Sequence, residues 1–462
     1  MDNQVVMSKF HYLKVIDSSK LEEWSYSYLI ERENKYNQDF EMIRIGDFLL
    51  LDRDVVIIED EKKYNRVTVK INTNGVVKRD SEIGQNIGTK RQFLAKEGQF
   101  ILSKIDARNG AFGIVPPELD GAIVTNDFPL FSINTDKVKP QFFFLLTGTK
   151  EFINFAKSCS SGTTNRQRID VGMFLNQKIP LPEISIQENI VKNYFSKIEE
   201  ANKKTEQAYQ IEKNIEEYLF NYLGISERKN SMKKTGIQVV DFKNISAWGL
   251  DKILNNQQRS SSKYSLVSVE ERPNICEDLF RGKSPKYKGS TDRYILNQKC
   301  NRWNKIDLSF VKAVDENWLN SIDSKFFTRE GDILINSTGE GTIGRATCIT
   351  KEYEGLLYDS HLLLLRLNKN LINPHFFVEI FNSKFGQNQV DEIKSAQATK
   401  QTELGISNLA KIKFPLPDDL SIQNQLVNQI NSYRLELENL LKVSEDLVES
   451  AKKDFEKSIF SS

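Results

Sequence analysis

Lys178-Ile-Pro-Leu-Pro-Glu-Ile-Ser-Ile-Gln187 opens a long charged run that ends at Gly224. The motif returns near the C-terminus as Lys413-Phe-Pro-Leu-Pro-Asp-Asp-Leu-Ser-Ile-Gln423, followed by a similar run. Pro180 and Pro415 lie 235 residues apart and Gln187 and Gln423 lie 236 apart, so the second copy carries one inserted residue. This period is far longer than a solenoid unit. It indicates two copies of one large module, each closed by a long helix. Each Pro-Leu-Pro fixes φ and holds the residue before it extended, so no helix runs through it. Ser185 and Ser421 then offer N-cap hydroxyls, and Glu188 supplies a capping-box partner in the first copy, where the second has Asn424. Gly224 suits the C-terminal stop of the first helix.

The apolar spacing predicts a seam. The first run carries Tyr194, Ile198, Ala201, Thr205, Ala208, Ile211, Ile215, Tyr218, Leu219 and Tyr222. The second carries Ile430, Tyr433, Leu437, Leu440, Leu447, Ala451, Phe455 and Ile459. Steps of three and four make a narrow stripe, and two such stripes bury each other most simply as a coiled coil. Each helix would be about 55 Å long at 1.5 Å per residue. An antiparallel pair would hold the modules at opposite ends of a rod.

Composition sets the outer bounds. A chain of 462 residues has room for two to four domains, and 27% charged with 39% apolar residues is ordinary for a globular protein. No apolar run reaches the length of a membrane span. The start Met1-Asp-Asn-Gln-Val-Val-Met lacks a signal-peptide layout, so a cytoplasmic location is expected. Cys159, Cys276, Cys300 and Cys348 are scattered and read as small buried hydrophobes rather than as a zinc site.

The module order repeats. Trp24 and Trp248 stand near the two starts, followed by strand-like runs at 42–51 and 66–71, then at 264–269 and 294–296. Lys96-Glu-Gly-Gln-Phe-Ile-Leu-Ser103 parallels Arg329-Glu-Gly-Asp-Ile-Leu-Ile-Asn336. A glycine-bearing loop follows each, at 108–113 and 337–345, then strands ending at 128–133 and 361–367. Next come short helices opened by Pro140 and Pro374. Polar loops at 160–168 and 395–402 lead to the Pro-Leu-Pro anchors.

Two catalytic look-alikes fail. Gly339-Glu-Gly-Thr-Ile-Gly344 matches a dinucleotide fingerprint in letters, but it leads into β-like Arg345-Ala-Thr-Cys-Ile-Thr instead of a helix. Asp54 with Glu61-Lys62-Lys63 reads as a strand and a charged turn rather than a metal-binding nuclease cluster. No Cys, His or Ser constellation suggests a nucleophile, so the chain reads as non-catalytic.

The net charge of +1 hides a local excess. Arg281, Lys283, Lys286, Lys288, Arg293, Lys299, Arg302 and Lys305 face Asp292 alone, with Tyr287 and Trp303 interleaved. Such donors suit phosphate oxygens. Arg345 and Lys400 join them as candidates in the second module. In the first, Lys90, Arg91, Lys104, Arg108, Arg166 and Arg168 are candidates, with Asn109 and Asn165 able to read a base edge. The long runs each hold seven acidic and five basic residues, so DNA should avoid them.

With the duplicated anchors, Ser103-Lys-Ile-Asp-Ala-Arg-Asn-Gly-Ala-Phe-Gly113, Gly331-Asp-Ile-Leu-Ile and Gly282-Lys-Ser-Pro, the chain resembles the specificity subunit of type I restriction-modification systems along essentially its whole length. The resemblance implies an α+β chain. Two similar α/β target-recognition domains would be separated by a pair of long antiparallel coiled-coil helices in a pseudo-twofold arrangement. The expected boundaries are 1–182 and 241–417 for the domains, 183–224 and 418–462 for the helical regions, and 225–240 for the linker. It further implies a sequence-specific, non-catalytic DNA-binding subunit that reads a split, asymmetric target for adenine methylation. Two methyltransferase subunits would bring S-adenosylmethionine, and restriction subunits would use ATP and Mg²⁺. The alternative is the recognition subunit of a related methyltransferase or type II-like system without separate restriction subunits.

Overall fold

The computed structural model describes residues 36–37, 39–161, 168–226, 262–288, 291–395 and 403–460. Trp24, Trp248 and most of the expected linker fall outside them. The chain divides into two compact units. The first holds the residues up to Lys204 together with those from Lys442 onward, and the second holds Thr205–Leu441.

Each unit is built on a four-stranded antiparallel sheet of the same order. In the first unit the strands run Leu49–Asp52, Leu130–Ile133, Phe100–Leu102, Phe112–Ile114. In the second they run Cys276–Arg281, Leu362–Leu367, Ile333–Asn336, Ala346–Cys348. Strands Phe100–Leu102, Ile333–Asn336 and Leu362–Leu367 are buried at every position, so both faces of each sheet are covered there. The helices Pro140–Thr147 and Pro374–Asn382 begin at the expected prolines. In the first unit Phe48, Phe100, Phe112, Phe131, Phe143, Phe152 and Phe174 are fully buried. Leu363, Leu365, Phe376, Phe381 and Phe414 fill the matching place in the second.

The expected strand at 42–51 is broken. Glu41–Arg44 pairs with Lys178–Leu181, a 3₁₀ turn covers Ile45–Asp47, and Leu49–Asp52 joins the main sheet. The run changes partner midway, and the turn makes the change. The expected strand at 264–269 is only Leu266–Val267, paired with Phe414–Pro415. Each Pro-Leu-Pro thus ends a short two-stranded ladder, where a missing N–H is tolerated.

A second sheet distinguishes the units. The first unit has five strands, with Ile123–Val124 between Arg91–Leu94 and Lys63–Val69. The second unit has three, with Tyr294–Leu296 between Lys312–Ala313 and Leu357–Tyr358.

The long helices span Ile184–Leu223 and Leu420–Ile459, 40 residues each, so the inserted residue is absorbed before the helix. Ser185 and Ser421 are therefore inside the first turn and are not N-caps. Asp419 takes the capping role in the second copy, its Oδ1 accepting from the Ser421 N–H at 2.7 Å. Two hydrogen bonds from Ser421, hydroxyl first, hold the Asp419 carboxyl below its ordinary range. Glu188 does not close a capping box either: it pairs with Lys139 at 2.6 Å. Gly224 ends the first helix at φ +62°, as its left-handed freedom allows.

The glutamine that closes each motif is a buried latch. Gln187 Oε1 accepts from the Lys139 N–H at 2.8 Å, and its Nε2 donates to the Lys137 and Pro182 carbonyls at 3.1 and 2.7 Å. Gln423 repeats the set with the Asn373 N–H at 2.8 Å and the Leu371 and Pro417 carbonyls at 3.1 and 2.9 Å. Both side chains are fully buried. Each latch ties the long helix to the loop before the proline-led helix and to the second proline of the motif.

Within each unit the long helices pair antiparallel. In the first, Lys197 bonds Asp454 at 2.5 Å and Ser450 at 2.8 Å, and the Tyr194 ring lies 6.3 Å from Phe455. In the second, the Tyr218 and Tyr433 rings are 5.8 Å apart, and the Tyr222 hydroxyl donates to the Ile422 carbonyl at 3.3 Å. Ala201, Ala208, Leu219, Ile430, Ala451 and Phe455 are buried, and Tyr194, Ile198, Ile211, Ile215, Tyr433, Leu437, Leu440 and Leu447 are half-buried. One buried seam position was not expected: Ser444, whose Oγ donates to the Ala201 carbonyl at 2.9 Å. Among the described residues no helix is long and apolar enough to cross a membrane.

Candidate nucleic-acid interface

Strand Phe100–Leu102 and strand Ile333–Asn336 each lead into the glycine loop, and the chain beyond them is fixed by matching backbone hydrogen bonds. In the first unit Ser103 N–H donates to the Ala111 carbonyl, Lys104 N–H to Asp127, and Ile169 N–H to Lys104, at 3.0, 2.8 and 2.9 Å. In the second, Asn336 N–H donates to Arg345, Ser337 N–H to His361, and Leu404 N–H to Ser337, at 2.9, 2.9 and 2.8 Å. The glycine loop, the turn before the next strand and the end of the polar loop therefore meet at one point in each unit.

The side chains on this shared frame differ. The first unit places Lys104, Asp127 and Arg168 there, with Arg168 3.2 Å from Asp127. The second places Ser337, His361 and Glu403 there. Arg281 donates to Ser337 Oγ at 2.8 Å and pairs with Glu403. A backbone held by its own N–H and carbonyl groups leaves the side chains free to vary.

In the first unit the loop bearing Arg108 and Asn109 is clamped by a hairpin turn. Asn72 N–H donates to the Asn109 carbonyl at 2.8 Å and Thr73 N–H to the Gly110 carbonyl at 2.7 Å. Thr73 holds φ +52°, a strained setting for a β-branched residue, and its Oγ1 is buried without a partner. Asn109 is exposed and Arg108 half-buried. Lys90 is bound to Asp60 at 2.5 Å, and Arg91 lies over the Phe93 ring at 5.5 Å. Asn165, Arg166 and Lys400 lie outside the described residues.

In the second unit the basic run divides into two groups. Lys283 lies over Phe326 at 4.1 Å, Lys312 over the half-exposed Tyr287 at 4.9 Å, and Lys288 pairs with Asp315 at 3.3 Å. Further along, Arg302 lies over Phe310 at 4.8 Å and Arg345 over the exposed Trp303 at 5.9 Å. Lys286 and Lys299 are exposed. A cation resting on a ring keeps its full charge for an incoming phosphate, whereas a cation on a carboxylate is partly offset. Asp307, 3.7 Å from Arg302, is held below the usual carboxylate range mainly by the Ser309 hydroxyl and N–H, so it stays ionised and offsets part of that charge.

The loop carrying the second group is pinned by Asn301. This fully buried side chain donates to the carbonyls of Leu334 and Arg345 at 3.1 and 3.0 Å and to Asn336 Oδ1 at 3.0 Å. The glycines of 339–344 all take positive φ or form turns, and strand Ala346–Cys348 follows them, so no helix opens there. Asn301, Asn336, Gln298, Thr338 and His361 were not expected at this site. The clue was the polar density of Asn297-Gln-Lys-Cys-Asn301 inside the basic run.

The chain matches the family model of the type I restriction modification DNA specificity domain over residues 37–213 and 290–444. It is 29% identical over 164 residues to a putative type I restriction enzyme MjaX specificity subunit of Methanocaldococcus jannaschii. That stretch covers 34% of this chain and 37% of the relative, so the chain spans little more than a third of that relative's length in the match. Its backbone is similar, with a TM-score of 0.56 and 16% identity over 92% of this chain and 97% of the other, to a chain from a study of complex assembly and conformational transition of the type I R-M system. The HsdS subunit from Thermoanaerobacter tengcongensis shows a weaker likeness, with a TM-score of 0.46 at 16% identity over 93% of this chain and 98% of that one.

Proposed function

As the chain belongs to the type I restriction modification DNA specificity domain family, we propose that it is the DNA-recognition subunit of such a system, reading a split and asymmetric target. The observation that carries this reading is the pair of units with one backbone frame and different side chains where three loops meet. Equal frames present readers in the same way, and unequal side chains read unequal half-sites. The cations that rest on aromatic rings, with Lys286 and Lys299, supply salt-sensitive phosphate contacts. The domains of this reading are 1–182 and 241–417, joined through the helical regions 183–224 and 418–462 that set the gap between half-sites.

The chain itself supplies no reacting group in this account. Two methyltransferase subunits bring S-adenosylmethionine, and restriction subunits bring ATP and Mg²⁺ chemistry, in the cytoplasm. The test is to express the chain with its methyltransferase and map methylated adenines in host DNA. A two-part motif with unlike halves and a fixed spacer is expected. A continuous motif, or none with the complex assembled, overturns the reading. Adding two turns to both long helices should lengthen the spacer, and an unchanged spacer removes the measuring role of the helices.

A further inference from the structure

A hydrogen-bonded triad crosses the glycine loop of the second unit. Thr338 Oγ1 lies 2.7 Å from His361 Nδ1 and 3.1 Å from Gln298 Oε1. The triad is anchored from behind: Asn336 Nδ2 donates to the Gln298 carbonyl at 3.0 Å, and the His361 N–H donates to Asp359 Oδ1 at 3.0 Å. Gly339 leaves room for it, since a Cβ there would stand 2.7 Å from Gln298 Oε1. His361 is exposed, and the exposed Lys299 follows Gln298 in the chain.

The proton count fixes what the triad offers. Thr338 has one hydroxyl proton. When it donates to Gln298 Oε1, its oxygen accepts from His361 Nδ1–H. Gln298 then keeps an NH₂ donor, and His361 keeps Nε2 as an acceptor. With the amide turned over, Thr338 donates to Nδ1 and accepts from the amide nitrogen. Gln298 then shows its oxygen as an acceptor, and His361 shows Nε2–H as a donor. In either polarity the pair presents one donor and one acceptor. The major-groove edge of adenine, with N7 accepting and N6–H₂ donating, is the complement of that pair. Guanine shows two acceptors there, thymine one acceptor and a methyl, and cytosine one donor.

We propose that Gln298 and His361, coupled through Thr338, read the major-groove edge of an adenine in the half-site bound by the second unit. The inference rests on the DNA-recognition reading above and adds the base and the residues. Arg345, which donates to the Gly341 carbonyl beside the triad and rests over Trp303, fits an adjoining phosphate, whereas Arg281 is offset by Glu403. The first unit has Lys104 and Asp127 at the positions matching Ser337 and His361, so it lacks the triad and reads a different base there.

The test is the methylation motif of the full chain with its methyltransferase, mapped for wild type, Thr338→Val, His361→Ala and His361→Arg. For the Val and Ala variants, discrimination at a single adenine of one half-site should fall about tenfold or more, with the other half-site and the spacer unchanged. The Arg variant, which offers two donors, should shift that position toward guanine. The inference is overturned if motifs stay identical across all four proteins. It is also overturned if the assembled variant complexes lose methylation uniformly over all sites, because the triad then contributes undivided binding. If wild type itself yields no two-part motif, the broader reading fails first, and the two failures are distinguished by that control.

Discussion

Replacing Gln187 or Gln423 by leucine should cost far more than a helix-terminal polar residue normally does. Each side chain is fully buried and makes three hydrogen bonds, all to backbone groups of its own unit. A net hydrogen bond is worth about 1 kcal/mol, and a buried backbone group left without a partner costs about 1–3 kcal/mol. Leucine strands one N–H and two carbonyls and regains some apolar burial. The expected loss is roughly 3–5 kcal/mol per site, against a typical domain stability of about 5–15 kcal/mol. Glutamate should be worse at neutral pH, because a carboxylate oxygen would face two carbonyls. Its pKa would rise on folding, so the folded state would bind the extra proton. The penalty should then shrink as pH falls toward about 4. Denaturant unfolding gives the total loss, and amide hydrogen exchange localises it to the first unit for position 187 and to the second for 423. Losses below about 1 kcal/mol for both leucine variants would refute the latch, since no arrangement of unsatisfied buried groups is that cheap.

Other changes follow from the same geometry. Arg366→Met leaves the buried Asp332 without its 2.7 Å partner and should destabilise the second unit by about 3–5 kcal/mol in denaturant melts. Ala201→Leu overfills the seam beside Ser444 and should cost about 1–3 kcal/mol by the same measurement. Lys286→Ala and Lys299→Ala should each lower the slope of log affinity against log salt by about 0.9 if each neutralises one phosphate, while Lys90→Ala, already offset by Asp60, should change it less. Burial pushes the Cys276 thiol up to about 11 and the Cys348 thiol up to about 12. Both should resist alkylation at pH 8 in the folded chain and react on unfolding. Because the folded thiols keep protons that the unfolded chain loses near pH 9, stability should decline as pH rises above that value.

The long helices were legible because their signal is periodic and local: apolar residues at steps of three and four, with proline before and glycine after. The frame was legible as a repeat, since Lys96–Ser103 and Arg329–Asn336 carry the same turn and strand. The glutamine latches were not. A glutamine in a first helical turn reads as surface, and two of its three partners are backbone groups about fifty residues upstream, which no side-chain pattern marks. The candidate cations show the same gap. Lys90 and Arg281 look free in sequence, yet Asp60 and Glu403 reach them from 30 and 122 residues away. Ser185 and Ser421 misled because both helices start one residue earlier, at Ile184 and Leu420, which puts each serine inside the first turn.

What the two units share, and what they do not, separates along a physical line. The matched contacts are backbone hydrogen bonds, glutamine-to-backbone hydrogen bonds and apolar strand packing. None of these depends on the side chains at 104, 127 and 168 or at 337, 361 and 403. Those positions can therefore change from Lys104 with an Arg168–Asp127 pair to Ser337 with His361 and an Arg281–Glu403 pair without disturbing the strands beneath. The second sheet, five strands in one unit and three in the other, shows the same freedom on a larger scale. Stability held in the frame lets one fold carry two unlike sets of loop side chains in a single chain. That separation accounts for a repeat strict at the Pro-Leu-Pro and glutamine positions and loose where the loops meet.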